Sequence, residues 1–94
     1  MSDSARKLLI VEDDPGIQSQ LRWCFEDYDV KLAGDRAPAI AELRRHEPPV
    51  VLQDLGLPPD DSGVEEGLAT VREILTLAPH TKVVVVTDHG AQSN

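Results

Sequence analysis

Four short apolar runs, separated by stretches with a helical period, constrain this 94-residue chain more than any other feature. Leu8-Leu9-Ile10-Val11 is continuously apolar, as a strand buried on both faces of a parallel sheet is, and it stops at Glu12-Asp13-Asp14. Pro15 stands where a first helical residue belongs, with Asp14 as its N-cap. Ile17, Leu21, Cys24, Phe25 and Tyr28 then fall on one inward helical face. Val30-Lys31-Leu32-Ala33 alternates, which suits an edge strand with one wet face. Gly34-Asp35 turns the chain and Pro38 fits the first turn of a second helix. Its Ile40 and Leu43, with Ala37 and Ala41 nearby, point inward before His46-Glu47-Pro48-Pro49 ends it.

The third strand is Val50–Gln53, closing on Asp54. Leu55–Gly63 is rich in Pro, Gly and Asp and reads as a loop. Leu68, Val71, Ile74, Leu75 and Ala78 make a third amphipathic helix that Pro79 ends. Lys82–Thr87, with four consecutive valines, reads as a fourth strand covered on both faces. Residues 89–94 are polar and small, and read as disordered. The order βα-βα-βα-β is that of an α/β fold with a parallel sheet, built as one domain over residues 1–94 with right-handed crossovers.

Composition narrows the function classes. Only 3% of residues are aromatic, so Val, Leu, Ile and Ala must build the core. The net charge is −8 and no basic run of five exists, which disfavours direct binding to nucleic acid or an anionic membrane. A single cysteine, Cys24, excludes an internal disulfide and a cysteine zinc site, and its place in the pattern predicts an inert buried thiol. His46, His80 and His89 share no ligand spacing. No apolar run approaches the ~18–20 residues of a membrane span, and Met1–Lys7 is unlike a signal peptide, so a reducing cytoplasmic setting is expected.

The chemistry lies in where the acids fall. In an open parallel sheet, ligands bind beyond the carboxyl ends of the strands, where strand order reverses. If the first and third strands are neighbours there, Glu12, Asp13 and Asp54 meet in one crevice. Three close anions repel, so such a cluster needs a cation, a raised pKa, or both. Hard oxygen ligands favour Mg²⁺ over zinc. A carboxylate beside a divalent cation can also act as a nucleophile and form an aspartyl phosphate. Thr87 could offer its hydroxyl to a phosphoryl oxygen or simply end its strand. Gly56 could turn its backbone carbonyl onto the metal or simply permit the turn. For Asp14, helix capping outweighs metal ligation.

Lys7–Asp14 (KLLIVEDD), Gln53–Pro58 (QDLGLP) and Val83–Thr87 (VVVVT) together resemble the receiver domain of bacterial two-component response regulators, across nearly the whole chain. The resemblance implies a flavodoxin-like, doubly wound parallel sheet in strand order 2-1-3-4, lacking the family's final portion. It implies Asp54 as phospho-acceptor, Glu12 and Asp13 as the acidic pair that holds Mg²⁺, and Thr87 as the switch hydroxyl. A sensor histidine kinase would be the donor and an output domain, of a transcriptional kind, the reader. Such a domain is an acceptor and not a turnover enzyme. The segment Trp23–Tyr28 with Asp54–Pro59 is similar to receivers attached to ATPase-type activators that work with the alternative sigma factor.

Departures from the family pattern matter as well. Receivers have five strands, with a lysine on the fifth that contacts the phosphoryl group, and no residue from Asp88 to Asn94 replaces it. The chain is therefore expected to be part of a longer one. Asp88 follows Thr87 where a small residue is usual, and the loop Pro59–Gly67 is long and acidic, with Asp60-Asp61 and Glu65-Glu66 solvated. An unpaired fourth strand would be a template for a homodimer or strand swap. A pseudo-receiver, docking without phosphorylation, is the rival reading. An aspartyl-nucleophile phosphatase would want an acid at Gly56, and a dinucleotide binder a G-x-G-x-x-G turn where Pro15-Gly16 stands.

Overall fold

The structure, a computed structural model, describes residues 6–57 and 64–86. Its elements are β1 (Lys7–Val11), α1 (Pro15–Cys24), β2 (Asp29–Ala33), α2 (Arg36–His46), β3 (Val50–Asp54), α3 (Glu65–Leu77) and β4 (Lys82–Val86). All strand pairs are parallel, in the order β2-β1-β3-β4. Among the described residues this is the flavodoxin-like, doubly wound α/β arrangement in strand order 2-1-3-4. The chain moves outward from β1 to β2, then returns across β1 to β3. Right-handed crossovers therefore set α1 on one face of the sheet and α2 and α3 on the other.

The period-2 alternation of the strands divides the core between those faces. Leu9, Val11, Ala33 and Val51 pack with Ala39, Leu43, Leu57 and Ile74 in one buried cluster on the α2/α3 side. Leu8 and Ile10, the intervening residues of β1, are buried as well, which is why that run shows no alternation. The edge position of β2 accords with its alternating sequence.

Several expectations about helix faces are corrected. Helix α1 buries none of its residues fully, and Cys24 is exposed rather than an interior thiol. The helix stops at Cys24, where the Phe25 N–H bonds the Leu21 carbonyl. Its half-buried residues are Ile17, Gln18 and Leu21, and Phe25 and Tyr28 lie beyond it in the turn, edge to face with centroids 5.7 Å apart. Trp23 is 75% exposed. In α2 the buried residues are Ala39 and Leu43, with Ile40 against them, while Ala37 and Ala41 are exposed.

In α3 the interior stripe is Gly67, Thr70 and Ile74, whereas Leu68 and Leu75 face outward. Glu65, Glu66 and Gly67 belong to the first turn of this helix and not to the preceding loop. Glu66 is half-buried and, with Glu73, pairs with Arg36 of α2, at 3.7 and 2.9 Å. Asp60 and Asp61 lie outside the described residues, as do residues 89–94. β4 is not covered on both faces: Val84, Val85 and Val86 are exposed and only Val83 packs against the core. It is the outer strand among the described residues, so one side alone meets a neighbour.

Candidate functional site

Parallel pairing of β1 with β3 puts Val11 opposite Gln53, so the two strands end side by side. Glu12 and Asp13 follow β1 and Asp54 ends β3, and one carboxylate oxygen from each lies within 4.8 Å of the others. The sequence places these acids about forty residues apart, and only the sheet register unites them. Glu12 is 5% exposed, and Asp13 and Asp54 are half-buried.

The three carboxylates differ in their surroundings. The Glu12 backbone is held by its N–H to the Ala33 carbonyl (2.9 Å) and by the Gln18 side-chain amide on its own carbonyl. Burial pushes the Glu12 carboxyl up to about 7; the Asp14 N–H, donating to Oε2 at 3.1 Å, opposes this, and the charges of Asp54 and Asp13 add to it. The cluster thus relieves its own repulsion by holding a proton on its most buried member near neutral pH. Oxygen-only donors of this kind suit a hard divalent cation, which would displace that proton. Asp14 does not join them: its Oδ1 accepts from the Gly16 and Ile17 N–H groups at 2.8 and 3.2 Å and caps α1, with Pro15 in the first turn.

The loop beyond Asp54 is held from both sides. The buried Gly56 donates its N–H to Asp54 Oδ1 (3.3 Å), the Leu57 N–H reaches the Leu55 carbonyl (3.1 Å), and Leu57 is fully buried. Helix α3 lies directly on this loop. A Cβ placed on Gly67 would sit 2.3 Å from the Leu55 Cα and carbonyl oxygen, so only glycine allows that approach. Gln53, fully buried, donates its side-chain amide to the Asp54 carbonyl at 2.8 Å.

Gln53 and Gly67 were not singled out by sequence reasoning. Their signals were present: a polar residue at a core-facing strand position, and an isolated glycine inside a helical pattern. Thr87 and Asp88, expected beside the acidic cluster, lie outside the described residues. Among the described residues no helix is long and apolar enough to cross a membrane.

The response regulator receiver domain family matches residues 8–94. The alginate biosynthesis transcriptional regulatory protein AlgB of Pseudomonas putida is 33% identical over 91 residues, 95% of this chain and 19% of that protein. The transcriptional regulatory protein GlrR of Escherichia coli is 32% identical over 93 residues, 97% of this chain and 20% of that protein. The chain thus spans about a fifth of the length of these curated relatives. A CheY-like response regulator receiver domain protein from Methanospirillum hungatei superposes with a TM-score of 0.76 at 27% identity, over 87% of this chain and 63% of that one.

Proposed function

The chain belongs to the response regulator receiver domain family, and from that premise we propose that Asp54 accepts a phosphoryl group from a sensor histidine kinase. The observation that carries this reading is the meeting of Glu12, Asp13 and Asp54 at the tips of two adjacent parallel strands. In the transfer, an Asp54 carboxylate oxygen forms a bond to phosphorus as the phosphorus–nitrogen bond of a phosphohistidine breaks. Mg²⁺, held by the carboxylates of Glu12, Asp13 and Asp54 and the Gly56 backbone carbonyl, would neutralise charge on the transferring group. The Gly56 N–H restrains Asp54 Oδ1, and the burial of Glu12 strengthens the electrostatic contacts that its carboxylate makes. The Thr87 hydroxyl is assigned to the phosphoryl oxygens.

In this reading the domain works in the cytoplasm as a switch that is modified once per signal, not as a turnover enzyme. Its state is read by an output domain, of a transcriptional kind given relatives such as AlgB and GlrR. The test is incubation with Mg²⁺ and acetyl phosphate, followed by mass spectrometry. A phosphoryl adduct on Asp54 that Asp54→Asn abolishes is expected; an unmodified parent removes the reading. A second reading, a receiver used as a docking module through self-pairing, is favoured by the exposed Val84, Val85 and Val86 of the outer strand. It predicts a concentration-dependent dimer that Val85→Lys dissolves, and a monomer at all concentrations in light scattering contradicts it.

A further inference from the structure

We propose that Gln53 is a positioning residue, which aims the Asp54 carboxylate by fixing the Asp54 backbone; the inference rests on reading Asp54 as the acceptor. Gln53 is fully buried and shares its face of β3 with Val51, a member of the aliphatic core. Its side-chain nitrogen must be the end facing the Asp54 carbonyl, since only that end can donate. The other end, Oε1, is then buried with no hydrogen-bond partner among the described residues.

A buried acceptor without a donor costs free energy, and a leucine or methionine of similar volume would avoid that cost at the same position. The chain nevertheless places an amide where an aliphatic residue would pack. What the amide does there is hold one peptide group, the one that joins Asp54 to its loop. The next peptide, Leu55–Gly56, is restrained in turn, because the Gly56 N–H meets Asp54 Oδ1 and the Leu55 backbone lies against Gly67. Strand end, loop and carboxylate therefore form one linked unit. Losing the Gln53 bond would free the Asp54 backbone torsion that sets where the loop leaves the strand, and with it the alignment of the Gly56 N–H on the carboxylate. Gln53 acts through this backbone, and the interactions described for it do not include the carboxylates themselves.

The test compares isotope-labelled full-length chains of the parent, Gln53→Leu and Gln53→Met. Both variants are expected to unfold at urea midpoints close to the parent's, because removing the unpartnered acceptor offsets losing the bond to the Asp54 carbonyl. The Gly56 amide and the Asp54 carboxyl carbon resonances should move, while those of β2 and α2 stay in place. The rate of phosphoryl labelling by acetyl phosphate with Mg²⁺ should fall about tenfold at unchanged half-saturation, as expected for a misaimed nucleophile. Methionine keeps the chain length of glutamine, so that variant decides the matter if leucine prevents folding. Variants with parent-like Gly56 and Asp54 resonances and parent-like labelling overturn the positioning role and leave the acceptor reading intact. Resonances that move in a chain whose parent takes no label uphold the positioning role and overturn the acceptor reading.

Discussion

Replacing Gly67 by alanine is the most exacting test of how α3 is seated. In isolation the change favours a helix interior by about 1 kcal/mol, because alanine is the better helix former. The structure reverses that sign. The added Cβ would lie 2.3 Å from the Leu55 Cα and carbonyl oxygen, where real Cβ contacts do not fall below 3.0 Å. Both partners are main chain, so no side chain can swing aside. Relief requires α3 to withdraw by about 1 Å, which loosens Thr70 and Ile74, both fully buried on the same stripe.

Overpacking against rigid backbone at the upper end of the usual range costs about 3 kcal/mol, leaving a net loss of about 2 kcal/mol after the propensity gain. For a chain of this length that corresponds to a drop in Tm of about 8–16 °C. Circular dichroism melts of Gly67→Ala measure it, with Gly34→Ala as the control. A Cβ on Gly34 meets nothing within 4 Å, so that variant should melt within about 0.5 kcal/mol of the parent or slightly above it. A Gly67→Ala chain that melts at or above the parent would refute the seating of α3 on the loop after Asp54.

Two further outcomes follow from the capping and charge of the site. Asp14→Ala removes the acceptor for the Gly16 and Ile17 N–H groups and should cost about 1 kcal/mol in urea unfolding, most of which Asp14→Ser restores; an unchanged midpoint contradicts the cap. The folded-state pKa of Glu12, about 7 against an ordinary 4.5, means that the unfolded chain binds fewer protons than the folded one between those values. Without divalent cations, stability owed to the protonated Glu12 is complete below pH 4.5 and is lost as pH rises towards 7. Glu12→Gln keeps that neutral state at all pH. Its advantage over the parent should therefore grow across this window, by at most about 3 kcal/mol, and an advantage that stays flat or shrinks refutes the raised pKa.

What could be read from the letters alone depended on the length scale of the interaction. The strands were legible because continuous runs such as Leu8–Val11 have few other uses, and their order followed from the family resemblance. The acids were legible because an α/β topology puts strand tips to work, so Glu12, Asp13 and Asp54 could be grouped before any distance was known. Helix faces were less so. Periodicity cannot see that α1 stops at Cys24 without a glycine or proline to mark it, and the extrapolation to Tyr28 carried Cys24 inward with it. In α3, hydrophobicity ranked Leu68 and Leu75 above Gly67 and Thr70, yet close approach to a backbone selects for smallness and not for oiliness. Gln53 escaped notice for the converse reason, being a polar residue in a layer where patterning expects an aliphatic one.

The pairing of β1 with β3 carries a consequence for fidelity. Because the acids that compose the crevice come from two strands about forty residues apart, they meet only where β1 and β3 are paired. On the proposed reading, a copy that has lost this pairing leaves Asp54 apart from Glu12 and Asp13, without the acidic crevice that phosphoryl transfer needs. On that same reading, loss of structure should produce silence and not a false message, with signalling declining in step with the native population.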